Sequence, residues 1–186
     1  KEMVKEIVAK DKLIDAYELK INKDCENILA LHTPVAIDLR FVLASIKINS
    51  NLERIGDHAV GIAKLLVDFE DEFEKNLLDN FKVSEMYAEA IAMVDSIIVA
   101  LANNDTSLAR EIFKKDDFLN DNYKKAAKNA IKILQAEPQK AEAIINLLSI
   151  IRKIERVGDL TKNLGMEIIF HIEAKVLRHA KKGKKT

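Results

Sequence analysis

Little in this sequence breaks a helix. Five glycines and two prolines stand among 186 residues, with no tryptophan and a single cysteine, Cys25. So few turn residues cannot punctuate a many-stranded sandwich or barrel, and no strand-helix alternation marked by glycines is visible. One cysteine makes neither an intramolecular disulfide nor a thiolate metal site, which is compatible with a reducing cytoplasm. An excess of one charge is missing too, since 30 Lys+Arg balance 30 Asp+Glu. A net charge of zero argues against general nucleic-acid binding, which needs a positive face for the phosphates. No apolar run approaches the roughly 18 residues of a membrane span, and no signal-peptide pattern is present. The expectation is a soluble, all-α chain with long helices, its 48% hydrophobic residues being ample for a core.

Apolar residues recur at helical spacing through Ile7, Ile14, Tyr17, Ile21, Cys25 and Ile28, which predicts one amphipathic helix over 2–32. Thr33 and Pro34 interrupt it as a cap and a first-turn proline. A second helix is expected from about Pro34 to about Phe73, with Ile48, Leu52, Ile55, Ala59, Ile62 and Leu66 as its stripe. The acidic run Glu70, Asp71, Glu72 and Glu74 reads as a solvated helix end and linker. Further helices are expected over 81–102, closed by Asn103, Asn104 and Asp105, over 106–135, and from Pro138 to about His179. Arg178, Lys181, Lys182, Lys184 and Lys185 form a basic tail, read as a solvated terminus with at most peripheral contact to acidic lipid or a partner.

The strongest feature is self-similarity. Leu52 through Asp57 recurs as Ile154 through Asp159, a shift of 102 residues, so the chain is a tandem duplication of a helical unit. The helix before each motif carries an acid pair four apart, Asp11 with Asp15 and Asp117 with Asp121. Counted from the turns at Thr33 and Glu137, each pair sits at nearly the height of its motif acids, Glu53 with Asp57 and Glu155 with Asp159. Each hairpin is therefore expected to gather four carboxylates, which need protons, basic neighbours or a cation. Arg54 and Arg156 point about 100° away from the motif glutamates and can offset the charge only partly. An all-oxygen set suits Fe³⁺, Mn²⁺, Mg²⁺ or Ca²⁺ better than zinc. The motif acids lie opposite the apolar stripe, so the patches are expected on an outer groove or a subunit interface. Gly56 and Gly158 interrupt good helix formers at a cost of about 1 kcal/mol each, a sign of close approach.

An ordinary solvated acidic face is the competing explanation. Chance alone gives about five acid pairs at i,i+4, and the sequence holds eight, so a lone pair says little; the matched heights are what favour a cation. His58 has no counterpart in the second repeat, where Leu160 stands, and His32, His171 and His179 lack ligand spacing. No Glu with a His three residues on, no phosphate-cradling glycine loop and no nucleophile elbow occurs, which lowers the prior for an enzyme.

Pro34, Val35 and Ala36, then Asp38, Leu39 and Arg40, then Leu52 through His58, and again Ile154 through Asp159, resemble the PhoU family of phosphate-uptake regulators over essentially the whole chain. The resemblance implies two tandem three-helix bundles, here a first repeat over 1–76 and a second over 80–186. It also implies metal held by acid-x-x-x-acid motifs, which fall on Asp11, Asp15, Glu53, Asp57, Asp117, Asp121, Glu155 and Asp159. Iron is the first expectation, with Mn, Mg, Ca or Zn as others. The implied role is non-enzymatic: a cytoplasmic homodimer linking the ATPase of a phosphate ABC transporter to a sensor kinase. Family members have a further helix before Glu2; in this chain, which begins at Lys1, the first bundle is expected to lack most of it. A cytosolic accessory domain of a sodium-phosphate cotransporter and a carboxylate-bridged di-metal enzyme are the alternatives.

Overall fold

The computed structural model describes residues 2–69 and 71–177. The chain forms α1 (Glu2–His32), α2 (Ala36–Asp68), α3 (Lys75–Phe81), α4 (Val83–Asn103), α5 (Thr106–Ala136) and α6 (Ala141–Glu173), with a short 3₁₀ turn at Pro138–Lys140 before α6. No strand occurs among the described residues, and none of their helices is long and apolar enough to cross a membrane.

Two tandem helical bundles share one seam. In the second, α4, α5 and α6 pack on one another; in the first, α1 packs on α2, and α2 joins the repeats by lying along α6. With α2, α4 and α5 around it, α6 buries residues on nearly every side, from Ile144 and Leu147 to Ile168 and Ile169. The first bundle has only two long helices among the described residues. The expected stripe of α1 is accordingly poorly covered: Ile14, Tyr17, Ile21 and Ile28 are exposed, and Cys25 is its one buried residue. On α2 the expected stripe divides, with Ile48 buried and Leu66 exposed. Ile55, Ala59, Ile62 and Leu66 line an apolar groove of about 590 Å³ that Met3, Ile7, Tyr87 and Ile91 also border.

Several boundaries differ from expectation for local reasons. Thr33 and Pro34 do not open α2. Thr33 and Ala36 both take left-handed backbone, at φ 46° and 48°, and Val35 is the uncapped residue before the helix. A left-handed non-glycine residue costs about 1–2 kcal/mol, so the hairpin turn is set by packing rather than by its own residues. The second helix ends at Asp68, short of Phe73, where the Phe69 and Phe73 rings stack 4.4 Å apart. Helix α3 escapes periodicity because it is two turns long, yet it buries Leu77 and Phe81. Lys82, at φ 52°, separates it from α4. The start of α5 is clear, since Asp105 accepts from the backbone N–H groups of Ser107 at 2.9 Å and Leu108 at 3.0 Å. Helix α6 stops at Glu173, where Ala174 turns left-handed. The basic tail, His179 and Glu70 lie outside the described residues.

Candidate metal centre

Each patch forms where the helix after the hairpin turn presents its motif to the helix before it. In the first, α1 brings Asp11 and Asp15, and α2 brings Glu53 and Asp57. Burial, then the charges of Asp15 and Asp57, raise the carboxyl pKa of Asp11, with Lys64 opposing. Burial followed by Asp57, Glu18, Asp15 and Asp11 raises that of Glu53. Glu18, one turn beyond Asp15, thus belongs to the neighbourhood; three-residue spacing on a helix face was the signal for it. Asp11 Oδ1 is buried and has no hydrogen-bond partner.

In the second patch the structure replaces two expected residues. Asp117 and Asp121 are exposed, and Asp121 lies 3.9 Å from Lys124. The residue facing Glu155 and Asp159 is Asp116, fully buried, with Oδ1 unpartnered. Its i+4 neighbour is Asn120, whose amide donates to Asp116 Oδ2 at 2.8 Å. Height along α5 does not separate Asp116 from Asp117, because one residue shifts a helix position by only about 1.5 Å in rise but about 100° in azimuth. The glycines fix the true register. A Cβ on Gly56 would meet Asp11 and Ile14, whereas one on Gly158 would meet Asp116 and Leu119. Asp11 and Ile14 therefore correspond to Asp116 and Leu119.

The second patch is also less open and better compensated than expected. Glu155 is buried, because α6 is enclosed where α2 is not. Arg156 reaches Asp159 at 3.6 Å and Glu155 at 3.9 Å, whereas Arg54 forms no ion pair among the described residues. Burial first, then Asp159 and Asp116, raises the pKa of Glu155, and Arg156 opposes. Asp159 is raised by burial and Asp116 against Arg156 and Lys162. Lys162 Nζ donates to Asp116 Oδ2 at 2.6 Å. Burial works against that ammonium, but the Asp116 hydrogen bond and the charges of Asp116, Asp159 and Asp117 raise its pKa overall. His58 sits at the seam between the repeats, its pKa lowered by burial and by Lys153, Arg54 and Arg156. His171 packs its ring on Phe41 at 5.1 Å, away from either patch.

The chain matches the model of the PhoU domain over residues 1–66 and 83–168, two segments that contain both patches. The chain belongs to the PhoU family. A phosphate-specific transport system accessory protein PhoU homolog from Borreliella burgdorferi is 34% identical over 176 residues, covering 92% of this chain and 78% of that protein. Its Aquifex aeolicus counterpart is 29% identical, covering 96% and 80%. Two PhoU crystal structures share the fold. The phosphate transport system regulatory protein PhoU from Streptococcus pneumoniae has a TM-score of 0.83 and 27% identity, covering 95% of this chain and 82% of that one. PhoU from Pseudomonas aeruginosa has a TM-score of 0.84 and 25% identity, covering 94% and 83%.

Do the residues fit the metal that PhoU resemblance implies? As the side chains stand, no three His, Cys, Asp or Glu among the described residues converge tightly enough to hold an ion. The first patch nevertheless fits in chemistry: an all-oxygen donor set, carboxyls of Asp11 and Glu53 raised by burial and by the acids beside them, and a buried carboxylate oxygen without a donor. Like charges at close range drive such side chains apart until a cation offsets them. The second patch already contains an ammonium.

Proposed function

We propose that this chain is a non-enzymatic, metal-binding regulator of phosphate uptake and phosphate-starvation signalling. It acts in the cytoplasm as an adaptor between the ATPase of a phosphate ABC transporter and a phosphate-sensing kinase. Its relatives are named as phosphate-specific transport system accessory proteins and align with more than nine-tenths of it. The metal reading rests chiefly on one observation: the unpartnered, buried Asp11 Oδ1 within a patch of four carboxylates drawn from two helices.

Asp11, Asp15, Glu53 and Asp57 would hold a hard cation, iron first, with manganese, magnesium, calcium or zinc as other candidates. The ion supplies positive charge that offsets the repulsion among them. Gly56 lets α1 lie close enough to α2 for Asp11 to join the α2 acids. Tying α1 to α2 through this patch would couple the packing of these two helices to metal.

Affinity co-purification of the tagged chain with the transporter ATPase and the kinase, with added Mn²⁺ or with chelator, tests this role. Metal-dependent recovery of both partners, lost in Glu53→Gln, is expected. Recovery of neither, or hydrolysis of a phosphate ester by the pure metal-loaded protein, would overturn it.

A further inference from the structure

The two patches are related by the repeat but are not electrostatically equivalent. With the motif shift of 102, Lys162 stands where the first repeat has Val60, a buried apolar residue. With the register set by the glycines, Asn120 stands where the first repeat has Asp15. The second patch has thus lost one carboxylate and gained one ammonium. We propose that Lys162 is the resident cation of the second patch, so that metal binds at the first patch alone. This rests on the metal-binding reading given above.

The contacts explain why an ion would be excluded. Asp116 is fully buried, and its Oδ2 already takes two donors, Lys162 Nζ at 2.6 Å and Asn120 Nδ2 at 2.8 Å. Its other oxygen lies against Gly158 and has no donor, as Asp11 Oδ1 lies against Gly56 without one, so the patches differ in the cations beside the carboxylates and not in this oxygen. Arg156 spans Asp159 and Glu155. Three carboxylates therefore meet two cations at contact range, while the four carboxylates of the first patch have no ion pair among the described residues. A divalent ion entering the second patch would have to displace an ammonium from a buried carboxylate or sit beside it. Either breaks a charge-assisted hydrogen bond or adds like-charge repulsion in a partly dry site. The same lysine stabilises the metal-free fold, since Asp116 without it would be an uncompensated buried charge.

Metal content after equilibrium dialysis against Mn²⁺ tests the proposal, with folding of each variant checked by circular dichroism. The wild type should lose its bound metal in Glu53→Gln and keep it in Glu155→Gln. The double variant Asn120→Asp/Lys162→Val copies the first repeat into the second and should raise metal content about twofold. Wild-type content cut by Glu155→Gln as strongly as by Glu53→Gln would overturn the proposal. So would a folded double variant with unchanged content. If that double variant does not fold, the two single variants still decide. Absence of metal from the wild type and every variant would instead overturn the metal-binding reading itself.

Discussion

A Cβ placed on Gly56 would lie 3.0 Å from Asp11 Oδ1, and one placed on Gly158 would lie 3.4 Å from Asp116 Oδ1. The same glycine in both repeats therefore accommodates the same aspartate of the preceding helix. The surroundings differ. At Gly158 the added atom would also come within 2.5 Å of Leu119 Cδ1, a fully buried side chain. At Gly56 the other neighbour is Ile14, which is exposed and can move.

The two glycines should thus respond differently to alanine. Gly158→Ala must push Leu119 inside a close-packed core, and a loss of about 1–3 kcal/mol is expected in urea unfolding. At Gly56→Ala the helix-propensity gain of about 1 kcal/mol offsets the tighter contact, leaving stability nearly unchanged. Its effect should appear in Mn²⁺ affinity, because Asp11 is displaced.

Acid should act in opposite directions at the two kinds of carboxyl. Asp11, Glu53, Glu155 and Asp159 have folded pKa values above their ordinary 3.8 or 4.5. Their ionised forms therefore destabilise the folded state at neutral pH, and lowering the pH through the raised values relieves this. Thermal unfolding of metal-free protein should show midpoints that hold or rise from pH 7 towards 5. Mn²⁺ affinity should fall over the same range as protons compete for the ligands.

Glu173 titrates the other way. Hydrogen bonds from Lys175, Thr106 and Arg110 lower its carboxyl from 4.5 to about 2, and the Arg110 contact is 2.8 Å long. The stability it contributes is complete above pH 4.5 and is lost as pH falls towards 2. Glu173→Gln should flatten the acid limb of the thermal profile and leave metal binding unchanged.

Asp105→Ala removes two hydrogen bonds to the first turn of α5. A cost of about 1 kcal/mol is expected. Asp105→Asn should keep most of that stability, since the amide oxygen still accepts; equal losses in the two variants by urea denaturation would contradict the cap.

Much of the architecture was legible because five long helices contain few breakers and repeat one motif. Leu52 through Asp57 and Ile154 through Asp159 marked the duplication, and Gly56 and Gly158 marked the close approach of each preceding helix. What escaped depended on azimuth and on neighbours. A search for acid pairs finds Asp117 with Asp121 because Asn120 hides the pair that begins at Asp116. Helix α3 is too short for periodicity to reveal. Glu155 lies beneath the surface because α6 is enclosed on more sides than α2, a difference that two nearly identical motifs cannot express. Lys162 breaks the repeat at Val60, a signal visible in the sequence, but its role depends on Asp116 facing it, which the spacing of acid pairs does not express.

A cation held at the first patch by Asp11, Asp15, Glu53 and Asp57 should stabilise the folded chain. Thermal unfolding of the metal-free protein with increasing Mn²⁺ tests it most directly, because a ligand of the folded state stabilises it by about 2.7 kcal/mol at 100 times its dissociation constant. The midpoint should climb with Mn²⁺ in the wild type and stay flat in Asp11→Asn and Glu53→Gln. A wild-type midpoint insensitive to Mn²⁺ and to Fe³⁺, or an equal rise in those two variants, would contradict it.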